Sequence, residues 1–184
     1  MTCSAYGLLN FTRPFACARR YTLNKLSFMQ RRFMKIAFED PMRADVLALL
    51  QHGEEESARL YPAESNHHVS AADLLSPDVL FQVARDPEGA AMATGAVVIN
   101  GDWAELKRMW VEPPARCRGV SRAMLTSLIA AARARGVRWL RLETGVDSHA
   151  ALTLYGKTGF VVRGPFGDYH PDPLSVFMER DLSV

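Results

Sequence analysis

A short basic turn, Arg116 to Arg122, has residue types that suit the binding of an anion. Arg116, Arg118 and Arg122 supply three positive charges, and Gly119 permits a close approach of the backbone to a ligand. A helical pattern begins directly after the turn, and the first N–H groups of a helix have no partner within it. Phosphate oxygens accept hydrogen bonds from such groups. The turn is therefore a candidate phosphate site, and a solvated basic turn before a surface helix is the alternative.

The turn lies between a predicted strand and a predicted helix, which together would position it. We expect the strand at Met109, Trp110 and Val111, because these residue types favour strands. Pro113 ends the strand, since proline has no N–H for the ladder. After the turn, apolar residues recur at the spacing of one helical face, namely Leu125, Leu128, Ile129 and Ala132.

Two motifs resemble the landmarks of the GNAT superfamily, the acetyl-CoA-dependent N-acyltransferases. Arg116-x-x-Gly119-x-Ser121 is similar to its pyrophosphate-binding motif, Gln/Arg-x-x-Gly-x-Gly/Ala, with serine at the last position. The segment from Leu154 to Phe160 resembles the second landmark, Leu-Tyr-x-x-x-Gly-Phe. The resemblance extends over nearly all of residues 35 to 182 and is nearest to a bacterial subgroup of small-molecule acetyltransferases. A looser match to that subgroup spans residues 62 to 67.

The resemblance implies acetyl-CoA as the co-substrate and no metal. It implies that backbone groups of Met109, Trp110 and Val111 hold the pantetheine arm, and that one of their N–H groups polarises the thioester carbonyl. It also implies that backbone N–H groups of the basic turn hold the pyrophosphate. The residues assigned to acetyl-CoA are thus Met109, Trp110, Val111, Arg116, Cys117, Arg118, Gly119, Val120, Ser121 and Arg122.

Tyr155 and two glutamates are candidates for proton transfer in such a reaction. By the resemblance, Tyr155 is the general acid for the leaving thiolate, which a phenol can protonate once within reach. A tyrosine that only fills the core is the alternative. Glu105, on the strand before the turn, and Glu143, at the carboxyl end of its strand, are candidates for the general base. Each could instead be solvated or ion-paired, and some superfamily members use water as the base.

The pattern of elements predicts the fold class. The order is strand, helix, helix, three strands, helix, strand, helix and two strands, which indicates an α/β protein of the α+β type. We expect one domain with a mixed, mostly antiparallel sheet of about six or seven strands and helices on both faces. The resemblance to the GNAT superfamily implies in addition a GNAT-like fold whose fourth and fifth strands splay apart. Asn100-Gly101 predicts a hairpin. Charged and apolar residues change sides along residues 103 to 111, which indicates a bulge near Arg108 or Met109.

Composition sets the domain organisation. The chain has 184 residues, of which 48% are hydrophobic and 23% charged, and this suits a single globular domain. Residues 1 to 38 hold seven of the 22 basic residues and no acidic one. We therefore predict a basic N-terminal extension over residues 1 to 33, either disordered or the product of a start codon assigned too early, and an N-acetyltransferase domain over residues 34 to 184. The extension also has the composition of a mitochondrial-type presequence.

Composition also bears on compartment and partners. Cys3, Cys17 and Cys117 are too few and too widely spaced to indicate a disulfide framework or a metal site, and they fit a reducing compartment. We expect a cytoplasmic protein, with mitochondrial import as the minor alternative. Outside its first 38 residues the chain has more acidic than basic residues, which argues against a nucleic-acid partner. No apolar run is long enough for a membrane span, and a homodimer is compatible with the sequence.

The predicted function is transfer of an acetyl group from acetyl-CoA to the amine of a small-molecule or amino-acid-like acceptor, by direct attack in a ternary complex. Two alternatives stay open at this point: a non-catalytic acyl-CoA-binding sensor, and a protein or peptide N-acetyltransferase. Asp168, Tyr169 and Ser175 are candidates for lining the acceptor pocket, because loops commonly carry specificity. A plain turn at these residues is the alternative.

Overall fold

The computed structural model describes residues 34 to 62 and 69 to 183. The predicted N-terminal extension and nearly all of the looser match at residues 62 to 67 lie outside the described residues. Within them, the strands are β1 Lys35–Phe38, β2 Val79–Arg85, β3 Ala91–Asn100, β4 Trp103–Val111, β5 Trp139–Gly145, β6 Val161–Arg163 and β7 Ser175–Asp181. The α-helices are α1 Ala44–Leu60, α2 Val120–Ala134 and α3 His149–Lys157, and short 3-10 turns occur at Asp73–Leu75 and Pro113–Ala115.

The strands form one seven-stranded open sheet in the order β1-β2-β3-β4-β5-β7-β6. Every neighbouring pair is antiparallel except β4 and β5, which are parallel. These two strands pair only where Trp103–Glu105 meets Trp139–Arg141, and beyond that point they separate. The mixed, mostly antiparallel sheet and its splayed strand pair are therefore confirmed.

Helices cover both faces of the sheet, as the sequence predicts. On one face, Met124 and Leu128 of α2 are fully buried against a cluster that includes Leu80 of β2. On the other face, Val46 of α1 packs in a second cluster with Phe81 of β2. Adjacent residues of a strand point to opposite faces, which places α1 and α2 on opposite sides. Among the described helices, none is long and apolar enough to cross a membrane.

The hairpin between β3 and β4 forms as expected, with its turn displaced by one residue. Asn100 pairs with Trp103, so the two turn residues are Gly101 and Asp102. Gly101 has a positive φ of 69°, and Asn100 remains in the strand. Glycine at the first turn position with positive φ is the pattern of a type II′ hairpin, whose twist matches the flanking strands.

A bulge interrupts β4 at the predicted place. Thr94 of β3 pairs with Trp110, whereas Ala96 pairs with Lys107, so β4 carries one extra residue between them. Arg108 has a positive φ of 56°, and its carbonyl oxygen accepts a hydrogen bond of 3.0 Å from the Thr94 hydroxyl. This side chain-to-backbone bond supports a conformation that residues other than glycine rarely adopt.

The bulge decides which side chains of β4 face the core. A strict period of two would place Met109 with Glu105 and Lys107. With the extra residue, Met109 packs on the same cluster as Leu106, towards α2. Arg108 instead reaches Glu54 of α1. The polar and charged side chains of β4 are thus collected on the face of the sheet that carries α1.

Candidate active site

A cavity of about 280 Å³ lies where β4 and β5 separate. Its walls come from α1, β4, β5, α3 and the chain around the start of β7. Its polar and charged lining residues are Glu56, Ser57, Tyr61, Thr94, Glu105, Lys107, Arg108, Glu143, Thr144, Ser148, Tyr155, Tyr169 and Ser175. The cavity therefore brings together the three residues predicted for proton transfer, Glu105, Glu143 and Tyr155, although they lie on three different elements.

Glu105 is held in a buried hydrogen-bonded cluster. Only 8% of the residue is exposed. Its Oε1 accepts hydrogen bonds from the Tyr169 hydroxyl at 2.6 Å and from Lys107 Nζ at 2.9 Å. Lys107 Nζ also donates to the Tyr169 hydroxyl at 2.7 Å. Burial raises the pKa of Tyr169, and the Glu105 carboxylate raises it further. This carboxylate is compensated by a cation and has two donors on one oxygen.

Glu143 stands at the carboxyl end of β5 and is half-buried in the cavity wall. Its Oε1 accepts a hydrogen bond of 2.7 Å from the Ser175 hydroxyl. Tyr155 of α3 is buried in the same wall, with its ring 5.6 Å from that of Phe160. Burial raises the pKa of Tyr155, and the negative charge of Glu143 raises it further. The phenol is therefore protonated across the neutral pH range.

The predicted anion-binding turn has the expected strand-turn-helix setting. β4 ends at Val111, the 3-10 turn Pro113–Ala115 follows, and α2 begins at Val120. Cys117 and Gly119 have positive φ values of 59° and 82°. The side chains of Arg118 and Arg122 are exposed. A Cβ placed on Gly119, the N-cap residue of α2, would meet nothing within 4 Å, so the space beside this glycine is open.

Arg116 occupies a different position from the other two arginines of the turn. Its guanidinium lies 4.8 Å from the centre of the Trp110 ring, and its Nε donates to the Val111 carbonyl oxygen at 3.0 Å. Arg116 therefore ties the turn to the end of β4. Since Trp110 and Val111 are the residues predicted to hold the pantetheine arm, the arginine connects both parts of the predicted acetyl-CoA site.

The wall opposite β4 is closed by a contact between the ends of α1 and β5. The Tyr61 hydroxyl lies 3.2 Å from Ser148 Oγ and accepts a hydrogen bond of 3.2 Å from the Asp147 N–H. The Tyr61 ring also rests directly on Gly145, with no room for a side chain there. Ser148 is the N-cap residue of α3, but its side chain makes no capping bond to the helix and contacts Tyr61 instead.

The structure also corrects and extends the list of site residues. Tyr169 and Ser175 line the cavity, whereas Asp168 is exposed and is not part of the wall. Lys107 and Arg108, to which the sequence analysis assigned no role, are both in the wall. The signal that could have found them is the broken alternation of β4, because a bulge places two successive side chains on one face. Within the described residues, no group of three or more His, Cys, Asp or Glu could hold a metal ion.

Comparison with known proteins agrees with the resemblance to the GNAT superfamily that the sequence motifs indicate. The family model described as the Acetyltransferase (GNAT) family matches residues 44–160. The chain is 44% identical over 149 residues to the IAA acetyltransferase of Azospirillum brasilense. The aligned region covers 80% of this chain and 97% of that protein. A solved structure of a Klebsiella pneumoniae protein, assigned as an acyl-CoA N-acyltransferase, is 34% identical to this chain with a TM-score of 0.71. The match covers 81% of this chain and 97% of that one.

A more distant structure shares the fold alone. The PaiA N-acetyltransferase of Thermoplasma acidophilum, solved in complex with coenzyme A, has 18% identity and a TM-score of 0.65 over 80% of this chain and 98% of that one. The family match covers more than half of the chain, and it contains the turn, the splayed strands and Tyr155. This protein is therefore an acyltransferase that belongs to the GNAT family of acetyl-CoA-dependent acetyltransferases.

Proposed function

We propose that this protein transfers the acetyl group of acetyl-CoA to the amine of a small-molecule, amino-acid-like acceptor in the cavity between β4 and β5. The observation that carries the proposal is the meeting of Glu143 and Tyr155 in one cavity wall, at the point where the two strands separate. The name of the Azospirillum relative supports a small-molecule acceptor. Transfer occurs by direct attack in a ternary complex.

The chain offers a continuous path for acetyl-CoA, which when bound supplies the thioester carbonyl and the leaving thiolate. Beyond Glu105, β4 is no longer paired with β5, so backbone groups of Met109, Trp110 and Val111 can hold the pantetheine arm. The open turn ahead of α2 suits the pyrophosphate, because its backbone N–H groups and the helix dipole favour an anion. Arg118 and Arg122 add positive charge at the same place.

Glu143 is the general base in this proposal. An amine must lose a proton as it attacks, and a carboxylate in the cavity wall can receive it directly or through one water molecule. Oε1 of Glu143 accepts a hydrogen bond from the Ser175 hydroxyl, whereas Oε1 of Glu105 accepts from a phenol and an ammonium group. Lys107 and Tyr169 both lie on the Glu105 carboxylate, so we assign Glu105 the role of fixing these two side chains.

Tyr155 is the general acid. Its phenol is protonated at neutral pH, because burial and the nearby Glu143 raise its pKa. The raised pKa makes the phenol a weaker acid, so the proton passes to the sulfur only as negative charge develops there, when the carbon–sulfur bond breaks. A backbone N–H among Met109, Trp110 and Val111 stabilises the negative charge that develops on the carbonyl oxygen. Positioning of the two substrates supplies the remaining rate enhancement.

The test is a thiol-release assay with acetyl-CoA and a panel of amines, amino acids and peptides, beside calorimetric titration with coenzyme A. We expect coenzyme A binding and thiol release that depends on a small amine. Binding without release on any acceptor would overturn the proposal in favour of an acyl-CoA sensor. Release with peptides alone would replace the small-molecule acceptor by a protein N-terminus or a lysine. Absence of binding would refute the assignment of the basic turn.

A further inference from the structure

Arg108 is a buried cation whose hydrogen-bonding groups are only partly used. Its side chain is 5% exposed and belongs to the cavity wall, on the face to which the bulge of β4 turns it. Nη1 lies 2.7 Å from Oε1 of Glu54 on α1, and the Glu54 side chain is 46% exposed. The buried Nε has no hydrogen-bond partner within the described residues. A guanidinium has five N–H donors in a fixed fork, and in this one the Nε donor is unused within the described residues.

An unsatisfied buried donor on a charged group costs free energy, and native proteins rarely leave one without a reason. The cost is removed when a ligand supplies acceptor oxygens along the edge of the fork that includes Nε. A carboxylate matches that edge, because its two oxygens accept parallel hydrogen bonds from one guanidinium. The partner present in the structure, Glu54, contacts Nη1 and leaves Nε without an acceptor within the described residues.

The charged residues around the cavity suit a ligand that carries both a positive and a negative charge. Arg108 lies on β4, and Glu143 lies on β5, across the opening between the two strands. Glu105 is compensated by Lys107 and therefore does not oppose an incoming carboxylate as strongly as an isolated charge would. An α-amino acid carries its ammonium and its carboxylate on one carbon atom. An amino acid with its carboxylate on Arg108 places its amine in the same cavity as Glu143, the base proposed for the reaction.

We infer that Arg108 binds the carboxylate of the acceptor, so that the substrate is an amino acid or another amine that bears a carboxylate. The inference rests on the proposed function, since it concerns the acceptor of that reaction. The inference adds to the proposed function that Arg108 selects the acceptor and that a carboxylate is the group it selects. Apolar cavity residues such as Leu50, Leu60 and Leu174 leave room for an apolar side chain beside the two charged groups.

The competing explanation is that Arg108 serves only to tie α1 to β4 through Glu54. The two explanations differ in what Glu54→Gln does. If Arg108 acts only through its ion pair with Glu54, Glu54→Gln reduces the preference for carboxylate-bearing acceptors as much as a substitution of Arg108 does. If the guanidinium receives a ligand, removal of Glu54 leaves the fork in place, and the variant keeps its preference for carboxylates.

The experiment compares matched acceptors. Leucine, methionine and phenylalanine are assayed with acetyl-CoA beside their carboxamides and their decarboxylated amines, in the wild-type protein. We expect kcat/KM for the best acid to exceed that for its amide by a factor of about ten or more, because a site built for a polar group rejects the analogue that lacks it. Equal use of acid and amide by the wild-type protein would overturn the inference.

Variants then assign the preference to a residue. Arg108→Gln should reduce the ratio of acid to amide turnover about tenfold or more. The ratio for Arg108→Lys should lie between those of the wild-type protein and Arg108→Gln, because lysine keeps the positive charge and lacks the guanidinium fork. Glu54→Gln should keep the wild-type ratio. Comparing ratios between proteins cancels the different basicity of the acceptor amines. A ratio in Glu54→Gln as low as in Arg108→Gln would also overturn the inference.

Two further outcomes separate this inference from the proposed function. If the Arg108 variants do not fold by circular dichroism, the wild-type acid and amide comparison and Glu54→Gln still decide the question. If amines lacking a carboxylate are acetylated better than the acids, the proposed function stands and the inference is wrong. If coenzyme A binds but no amine of any kind is acetylated, the proposed function fails, and the inference falls with it.

Discussion

Tyr169 donates a hydrogen bond of 2.6 Å to the same carboxylate oxygen of Glu105 that Lys107 Nζ approaches to 2.9 Å. A loop residue and two residues of β4 thus form one buried cluster beside the cavity. The sequence offered Glu105 and Glu143 as equal candidates for the base. The structure distinguishes them by their contacts, because Glu105 is held by Lys107 and Tyr169 and Glu143 accepts a hydrogen bond from the Ser175 hydroxyl.

The two glutamates should therefore respond differently to the same substitution. Glu143→Gln should lower kcat about 10²-fold or more, the usual effect of losing a general base, and leave stability nearly unchanged. Glu105→Gln should instead lower the free energy of unfolding by about 1 to 3 kcal/mol, because Lys107 loses its buried counter-ion. Steady-state kinetics and urea unfolding of both variants measure this contrast. A large loss of kcat in Glu105→Gln with unchanged stability would reverse the assignment.

Tyr155→Phe tests the general acid. The substitution removes the hydroxyl and keeps the ring that packs beside Phe160, so the fold should survive. We expect kcat to fall about tenfold or more, with little change in the dissociation constant for acetyl-CoA. Phe160→Leu is a useful comparison, since it disturbs the same packing and keeps the phenol. Equal turnover in Tyr155→Phe and the wild-type protein would reduce Tyr155 to a core residue.

The elements that position the site could be predicted because each has a local signal. The spacing of Leu125, Leu128 and Ile129 fixes α2, and all three are buried in the structure. Prolines after Val111 mark the end of β4. Charges that change sides along β4 reveal the bulge. These patterns depend only on residues close together in the chain, which is why the sequence contains them.

The walls of the acceptor site could not be predicted in the same way. Tyr169 reaches Glu105 from a Gly/Pro-rich loop, and Tyr61 reaches Ser148 from the end of α1. These contacts join residues far apart in the chain, and no periodicity encodes them. The position of Arg108 in the cavity wall could not be predicted for a further reason. The bulge was expected, but the face to which it turns this side chain depends on where the extra residue is inserted.

The basic turn makes a separate prediction for coenzyme A. Arg118→Ala and Arg122→Ala should each raise its dissociation constant by about 3-fold to 10-fold, because each removes an exposed positive charge beside the helix N-terminus. The losses should shrink at high salt, where exposed charges are screened. Lys35→Ala, an exposed residue of the edge strand β1, is the control and should bind as the wild type does. Titration calorimetry at two salt concentrations measures these dissociation constants, and unchanged values in both arginine variants would contradict the prediction.

His52 should titrate above its ordinary range. Its Nδ1 lies 2.6 Å from Oε1 of Glu112, and this hydrogen bond raises the histidine pKa above 6.5. Because the folded-state pKa is raised, the contribution to stability is fully present below the unfolded pKa and is lost as pH rises through the folded value. NMR titration should show the raised pKa, and Glu112→Gln should return it towards 6.5. The same pKa in both proteins would contradict the contact.

The contact of Tyr61 with Gly145 predicts the effect of a single methyl group. A Cβ on Gly145 would overlap the Tyr61 ring, so Gly145→Ala must displace the ring and break its bonds to Ser148 and Asp147. We expect a loss of about 1 to 3 kcal/mol in the free energy of unfolding.

The control for this prediction is Gly156→Ala, because a Cβ at that helical position meets nothing within 4 Å. Alanine there should leave stability unchanged or raise it by up to about 1 kcal/mol. In a Tyr61→Ala background, Gly145→Ala should lose most of its cost, since the obstructing ring is gone. An equal cost in both backgrounds would place the strain in the backbone of β5, and Tyr61 would then not be the residue that requires glycine at position 145.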